Sequence, residues 1–171
     1  LSEIDPQVFH ASLAVVDQDI ILFEDTIANN IKMWDNVTED FAMVLAANSA
    51  QIHNEIASRP GGYDSPVVGG GSNFSGGQRQ RIEIATAIAK EPTIMVMDEA
   101  TSALDPTTEM KVMQSIRDQG ITTVIVAHRL STIRDCDEIL VMDHGKIIDR
   151  GTHDELMLHK DGLYYKLMQM N

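Results

Sequence analysis

Two acidic residues, Asp98 and Glu99, stand side by side at the end of an apolar run in the segment IMVMDE. An apolar strand that ends in a carboxylate places that group at the edge of an open α/β sheet where ligands bind. Asp98 there could hold a magnesium ion, directly or through water. Glu99 could orient and deprotonate a water for attack on a phosphoryl group. Taken alone, however, two solvated acids in a turn explain the pattern better.

A second candidate is the glycine pair in Ser75, Gly76, Gly77 and Gln78, at the start of a helical pattern. Two glycines leave the first backbone N–H groups of a helix unshielded, so that these groups and the helix dipole can bind an anion. The Ser75 hydroxyl can add a further contact. A capped helix after a flexible loop is an equally good interpretation of these four residues.

Two further polar residues follow apolar runs. His128 ends the run TTVIVAH, and its imidazole could donate a hydrogen bond to a terminal phosphate. Gln18 follows the first run, in VVDQD, where its amide could coordinate a metal or contact a nucleophilic water. A structural histidine and a surface glutamine are the commoner roles, so neither residue carries a function alone.

The elements that would position these residues alternate between strands and helices. Strand-like runs lie at 12–19, 93–98 and 122–128, and helical patterns lie at 26–58, 75–90 and 106–120. Thr38 is a plausible helix N-cap, and the chain closes with a hairpin turning at His144 and Gly145 and with terminal helices. Because the central strands are apolar throughout, we expect an α/β fold whose parallel sheet is covered by helices on both faces.

Composition restricts the class of partner. Thirteen Lys and Arg against 26 Asp and Glu give a formal charge of −13, which argues against nucleic acid bound through a broad basic surface. A small anionic ligand needs only a local positive pocket. The single cysteine, Cys136, excludes an internal disulfide and a cysteine metal cluster, and an intracellular setting is the simplest interpretation.

Together these segments resemble the nucleotide-binding domain of ABC transporters. Five motifs occur in that family's order: VVDQD resembles the Q-loop, FSGGQ the signature, IMVMDEA the Walker B strand, SALD the D-loop and AHR the switch histidine. The chain resembles the carboxyl-terminal two-thirds of such a domain. The resemblance implies a P-loop NTPase-like sheet from 1–25 and 91–171 and an inserted α-helical signature subdomain at about 26–90. The amino-terminal part is expected to be absent, because no G-x-x-x-x-G-K-[ST] phosphate loop occurs.

The resemblance implies a role for each candidate. Asp98 and Gln18 would support Mg²⁺, Glu99 would act as general base and His128 would contact the γ-phosphate of ATP. Six residues would serve the ATP of an opposite protomer in a head-to-tail dimer: Ser75, Gly76, Gly77, Gln78, Ser102 and Asp105. The implied partners are that second nucleotide-binding domain and a transmembrane domain, to which Gln18 would couple, at the cytoplasmic face of the cell membrane. No nucleic acid is expected.

The implied function is ATP hydrolysis that powers export. The segment QDIILFEDTIANNI is similar to exporters, and the tract GGSNFSGGQRQRIEIA is similar to peptide or bacteriocin exporters. Two alternatives stay open: a soluble ABC-type ATPase acting on DNA or ribosomes, and a non-catalytic dimerisation module. The acidic charge disfavours the first, and the retained Glu99 and His128 disfavour the second.

Some positions depart from the family pattern or have no assigned role. Gly69 and Gly70 replace an acid and a charged neighbour, and Thr86 replaces a common arginine of the signature helix. Trp34 could help form the surface that meets a membrane domain, or it could pack internally. Without a phosphate-loop part, the sheet is also expected to expose an edge or an apolar face.

We predict that the 171-residue chain by itself binds ATP poorly and hydrolyses it negligibly, because no lysine-bearing loop is present to wrap the phosphates. Phosphate release from the purified chain with ATP and Mg²⁺ measures this. Turnover above that of the same chain carrying Glu99→Gln would contradict it.

Overall fold

The computed structural model describes residues 5–126 and 129–170, without the side chains of Leu130 and Ser131. The chain divides into two compact units, 1–126 and 127–171. The first contains α1 (Pro6–Ser12), β1 (Leu13–Val16), α2 (Ile27–Lys32), α3 (Asp40–Ser49), α4 (His53–Ala57), a 3₁₀ turn (Gly62–Asp64), α5 (Gly76–Ala89), β2 (Ile94–Asp98), α6 (Pro106–Asp118) and β3 (Thr122–Val126). The second contains α7 (Leu130–Ile133), β4 (Ile139–Asp143), β5 (Lys146–Gly151), α8 (His153–Leu158) and α9 (Leu163–Met170).

The first unit is built on a parallel sheet in the order β1-β2-β3. β2 is central: Met97 pairs with Val16 on one side and with Ile125 on the other. Parallel neighbours need a crossover, which α2 to α5 provide between β1 and β2 and α6 provides between β2 and β3. The expectation of an α/β fold with a parallel sheet and helices is therefore confirmed.

Helices pack on one face of this sheet. Ala14 and Val16 of β1 and Met95 and Met97 of β2 are at most 2% exposed. The same core cluster contains residues of α5 and α6: Ile82, Ile84, Ala85, Ala87, Ile88, Val112, Met113 and Ile116. The side chains that alternate inward along the strands therefore form one continuous core with the helices.

The opposite face of the sheet is open and apolar. Val15, Val96 and Val124 are register partners on that face, and Val126 follows them on β3. Val15, Val124 and Val126 are 48%, 52% and 52% exposed. Helices on both faces are thus not found within the described residues. The other expectation, an exposed apolar face, is met.

The helical section expected at 26–58 consists of three separate helices. Thr26 caps α2, because its hydroxyl accepts a hydrogen bond from the Asn29 N–H. The expectation that Thr38 caps a helix is wrong: Glu39 occupies the N-cap of α3, and the Thr38 hydroxyl donates to Asp35 instead. The reason lies just upstream. Met33 ends α2 in the left-handed conformation, and the chain changes direction there before α3 begins.

The second unit contains the expected hairpin. β4 and β5 pair antiparallel, with an irregularity between Val141 and Met142. His144 and Gly145 at the turn both have positive φ, 47° and 74°, as a tight two-residue hairpin turn requires. A small core of Ile139, Val141, Leu156 and Tyr164 closes this unit against its terminal helices.

We predict that Val16→Ala lowers the free energy of unfolding by about 2–3 kcal/mol, because it empties a fully buried site in the core. Val15→Ala is the matched control on the same strand and should cost less than about 1 kcal/mol, since its side chain faces solvent. Urea unfolding of the unmodified chain, Val16→Ala and Val15→Ala measures the loss of unfolding free energy for each variant. Equal losses at the two positions would contradict the assignment of a core face and an open face.

Candidate functional site

Gln18, Asp98 and Glu99 lie at or just after the carboxyl ends of two paired strands, β1 and β2. Val16 and Met97 are register partners, so Gln18 and Glu99 each lie two residues beyond a paired position. Neighbouring strands of a sheet run about 4.8 Å apart. The strand pairing therefore places these three residues at the same carboxyl edge of the sheet, while their joint action on one nucleotide stays a prediction. His128 lies outside the described residues.

Glu99 has a left-handed backbone conformation, with φ of 49°. Its N–H donates to the Val126 carbonyl at 2.8 Å, and its carbonyl accepts from the Ser102 N–H at 3.1 Å. Such a conformation costs a non-glycine residue about 1–3 kcal/mol and is found often at functional sites. Backbone hydrogen bonds to β3 and to the following loop thus hold Glu99 in a sharp turn directly after Asp98.

The residues 75–78, called here the signature turn, open α5 with a capping box. The Ser75 hydroxyl accepts from the Gln78 N–H at 3.2 Å, and the Gln78 side-chain oxygen accepts from the Ser75 N–H at 2.8 Å. The capped helix of the sequence interpretation is therefore real. Anion binding by the same turn stays a prediction.

The two glycines of the signature turn also allow a close contact with residues 99–105, called here the post-strand loop. A Cβ on Gly77 would lie 3.0 Å from the Ala103 carbonyl oxygen, and one on Gly76 would lie 3.6 Å from the Ala103 Cβ. A larger residue at Gly77 would push this loop away. Close packing therefore explains why position 77 is a glycine, whether or not a ligand binds there.

Ser102 and Asp105 both belong to the post-strand loop. Ser102 is exposed, and its hydroxyl accepts from the side chain of Gln80 at 3.0 Å. Asp105 is the N-cap of α6, where it accepts from the N–H groups of Thr107 and Thr108 at 3.0 Å. Hydrogen bonds from the side chain and backbone of Thr108 lower the pKa of Asp105. Both residues therefore have a structural role in this chain, beside any role across an interface.

Gln80 was not identified from the sequence as a site residue. Its side chain is 3% exposed, and it bonds to the post-strand loop through both its amide nitrogen and its oxygen. A signal was available: Gln80 precedes Ile84 and Ala87 at helical spacing on the apolar face of α5. A buried amide on such a face needs hydrogen-bond partners, and these have to come from a neighbouring segment.

Glu55 and Arg81 form an ion pair beside the signature turn that the sequence did not reveal either. Arg81 contacts Glu55 at 2.6 Å and donates to the Gln51 carbonyl, while the Gln78 amide donates to Glu55 at 2.7 Å. Burial raises the pKa of Glu55, but hydrogen bonds from Arg81 and Gln78 outweigh it, so that the net pKa is lowered. The pair ties α4 to the first turns of α5.

The positions that depart from the family pattern have local explanations. Gly69 and Gly70 have φ of 53° and 64°, which most side chains disfavour. The Thr86 hydroxyl donates to the carbonyls of Ile82 and Asn30 at 3.0 and 3.3 Å, so it connects α5 to α2.

A cavity of about 210 Å³ lies between the segment after β1 and helix α5, with Ile21, Phe23 and Glu83 in its lining. Burial raises the pKa of Glu83, and the negative charge of Asp17 raises it further. Next to it the rings of Phe23 and Trp34 meet edge to face, 5.2 Å apart. Trp34 is 45% exposed and also packs on Phe23, and a contact with a membrane domain stays a prediction.

Neither a spanning helix nor a resident metal cluster is found in residues 5–126 and 129–170. No helix there is long and apolar enough to cross a membrane. No group of three or more His, Cys, Asp and Glu side chains in those ranges could hold a metal ion.

The family model described as ABC transporter matches residues 1–102. This chain belongs to the ABC transporter family. It is 45% identical over 98% of its length to the ATP-dependent lipid A-core flippase of Burkholderia orbicola (strain AU 1054), of which it covers 28%. It is 44% identical over 99% of its length to the ABC transporter ATM1 of Toxoplasma gondii (strain ATCC 50611 / Me49), of which it covers 15%.

A solved structure gives the same family assignment. The structure of a bacterial Atm1-family ABC exporter with ATP bound matches 99% of this chain with a TM-score of 0.92 and 39% identity, and 30% of that chain is covered. The chain thus spans less than a third of these ABC proteins. The narrower resemblance to peptide or bacteriocin exporters stays a prediction.

We predict that Glu55→Gln lowers the free energy of unfolding near neutral pH, and that this deficit shrinks in acid. The lowered pKa means that ionised Glu55 stabilises the fold above its unfolded-state pKa, and that this stability is lost as the pH falls through the folded-state pKa. Urea unfolding from neutral pH to about pH 3 measures the deficit. Glu39→Gln, at the α3 N-cap without a side-chain cap bond, is the control and should show no comparable pH-dependent deficit.

Proposed function

We propose that this chain is the ATP-hydrolysing part of an ABC exporter. The observation that carries the proposal is the parallel pairing of β1 and β2, whose neighbouring carboxyl ends lead into Gln18 and into Asp98 and Glu99. The names of the similar flippase and of the similar Atm1-family exporter with ATP bound support export as the process that hydrolysis drives. The transported substrate is left open, since a transmembrane domain would select it.

The residues at the sheet edge fit a magnesium ion bound together with ATP. Mg²⁺ prefers oxygen ligands and is commonly held by one or two carboxylates with substrate phosphates and waters. Asp98 ends β2 as an exposed carboxylate, and Gln18 brings an amide oxygen from the end of the neighbouring strand. When bound, the ion would neutralise charge on the β- and γ-phosphates.

Glu99 is the residue that would take the proton of the attacking water. The proton would move to a Glu99 carboxylate oxygen as the water oxygen bonds to the γ-phosphorus, while the bond from this phosphorus to the oxygen that bridges to the β-phosphate breaks and ADP leaves with that oxygen. The left-handed turn, held by Val126 and Ser102, positions Glu99 directly after the proposed metal ligand Asp98. His128 would donate a hydrogen bond to the γ-phosphate.

The signature turn and the post-strand loop would complete the ATP site of an opposite protomer. Ser75 and Ser102 are exposed, and the Gln80 and Gly77 contacts hold their two segments together. The dipole of the 14-residue α5 helix favours an anion at its amino terminus. Two chains packed head to tail would then enclose two ATP molecules.

A transmembrane domain is the second proposed partner. Ile21, Phe23 and Trp34 are 69%, 44% and 45% exposed beside the cavity that follows β1. Exposed apolar side chains that cluster in this way mark interaction surfaces. Their position directly after Gln18 would connect the membrane partner to the hydrolytic site, at the cytoplasmic face of the cell membrane.

We predict that Glu99→Gln in the full-length gene product abolishes ATP hydrolysis, with a fall in kcat of at least about 100-fold, while ATP still binds. The amide cannot accept the proton of water, but it has nearly the same shape. Phosphate release and equilibrium binding of ATP with Mg²⁺ measure the two effects.

Glu91→Gln is the matched control, because Glu91 is, like Glu99, a glutamate with a left-handed backbone, but it is exposed and lies before β2. Its kcat should equal that of the unmodified protein. Unchanged turnover in Glu99→Gln would point to a non-catalytic module and overturn the proposal.

A further inference from the structure

Gln80 lies where α5 meets the post-strand loop, which contains Glu99, proposed to act on the chain's own ATP, and Ser102, proposed to act on the ATP of the opposite protomer. Its Nε2 donates to Ser102 Oγ at 3.0 Å and to the Glu99 carbonyl oxygen at 3.4 Å. Its Oε1 accepts from the Ala103 N–H at 2.8 Å. Gln80 is 3% exposed, so its side-chain amide has little access to water and depends on these partners. A buried amide that is satisfied at both ends holds its partners in one arrangement.

Contacts on either side make this junction stiff. Gly77 is packed against the Ala103 carbonyl so closely that a Cβ would lie 3.0 Å from its oxygen. On the other side the Thr101 hydroxyl donates to the buried Glu109 carboxylate at 2.6 Å, which ties the post-strand loop to α6. The loop is therefore held between two helices, and Gln80 provides its polar connection to α5.

We infer that Gln80 is a positioning residue for ATP hydrolysis: through Ser102 and the Glu99 backbone it keeps the post-strand loop at a set distance from the signature turn. This inference rests on the proposed function. Glu99 serves the chain's own ATP, whereas the signature turn and Ser102 serve the ATP of the opposite protomer. Gln80 thus links the two ATP sites within one chain.

Gln80 does not touch ATP in this arrangement, so its loss should affect turnover more than binding. A displacement of about 1 Å at a reacting group can cost about 100-fold in rate. A merely structural role for Gln80 has a different consequence. It would lower the stability and the active fraction, but kcat per folded molecule would stay that of the unmodified protein, and so would the effect of Ser102→Ala on that kcat.

The test uses the full-length gene product in four forms: unmodified, Gln80→Met, Ser102→Ala and the double variant. Methionine has a similar length but none of the three hydrogen bonds. Gln114→Met is the control, because Gln114 is an exposed glutamine on α6 whose amide contacts Asp118. For each form kcat and KM for ATP are measured with Mg²⁺, together with the thermal unfolding midpoint.

We expect Gln80→Met to lower kcat by about tenfold to 100-fold with KM within about twofold, and the double variant to be no slower than Gln80→Met alone. The inference is overturned if Gln80→Met keeps the kcat of Gln114→Met, or if the two substitutions act multiplicatively. If Gln80→Met gives no folded protein, Gln80→Glu replaces it in the same set of four forms. The inference is then overturned by an unchanged kcat or by a multiplicative effect with Ser102→Ala. It keeps the oxygen that accepts from Ala103 and loses the donor to the Glu99 carbonyl.

These results are separable from those on the proposed function. Hydrolysis that is abolished by Glu99→Gln but unaffected by Gln80→Met would overturn the inference alone. Hydrolysis that is unaffected by Glu99→Gln would overturn both.

Discussion

The parallel pairing of β2 with strands on both sides is the constraint on which the rest of the site depends. Parallel strands end at the same edge, so the pairing brings the chain leading into Gln18 next to the chain leading into Asp98 and Glu99, although 80 positions separate Gln18 from Asp98. A slip of one residue would turn Met95 and Met97 outward and expose their buried surface. Burial of one strand face therefore sets the register, and the register places the acids.

A second set of contacts depends on this sheet. The turn after β2 strains Glu99, whose N–H donates to the carbonyl of Val126 at the end of β3 and whose carbonyl accepts from the Ser102 N–H in the post-strand loop. The same loop accommodates the amide of Gln80 and the backbone of Gly77 from α5. One contact region thus contains the strained turn at Glu99, the close packing at Gly77 and the buried amide of Gln80.

Much of this could be read from short-range signals. Ser75 and Gln78 form the capping box that their spacing allows, Pro106 begins α6, and His144 and Gly145 form the hairpin turn. The prediction that Thr38 caps α3 was wrong for a reason that is also local. A cap depends on local backbone geometry, and there the left-handed Met33 and Trp34 reverse the chain before α3 begins at Asp40.

The sequence by itself determined the element types, the order of the motifs and the acids at the end of β2, because hydrophobic alternation and turn chemistry act over a few residues. Only the tertiary structure decided which face of the sheet stays open, where Gln80 finds its partners and that Glu55 neutralises Arg81. Those contacts join residues more than 20 positions apart, and their partners become known only when strands and helices have packed.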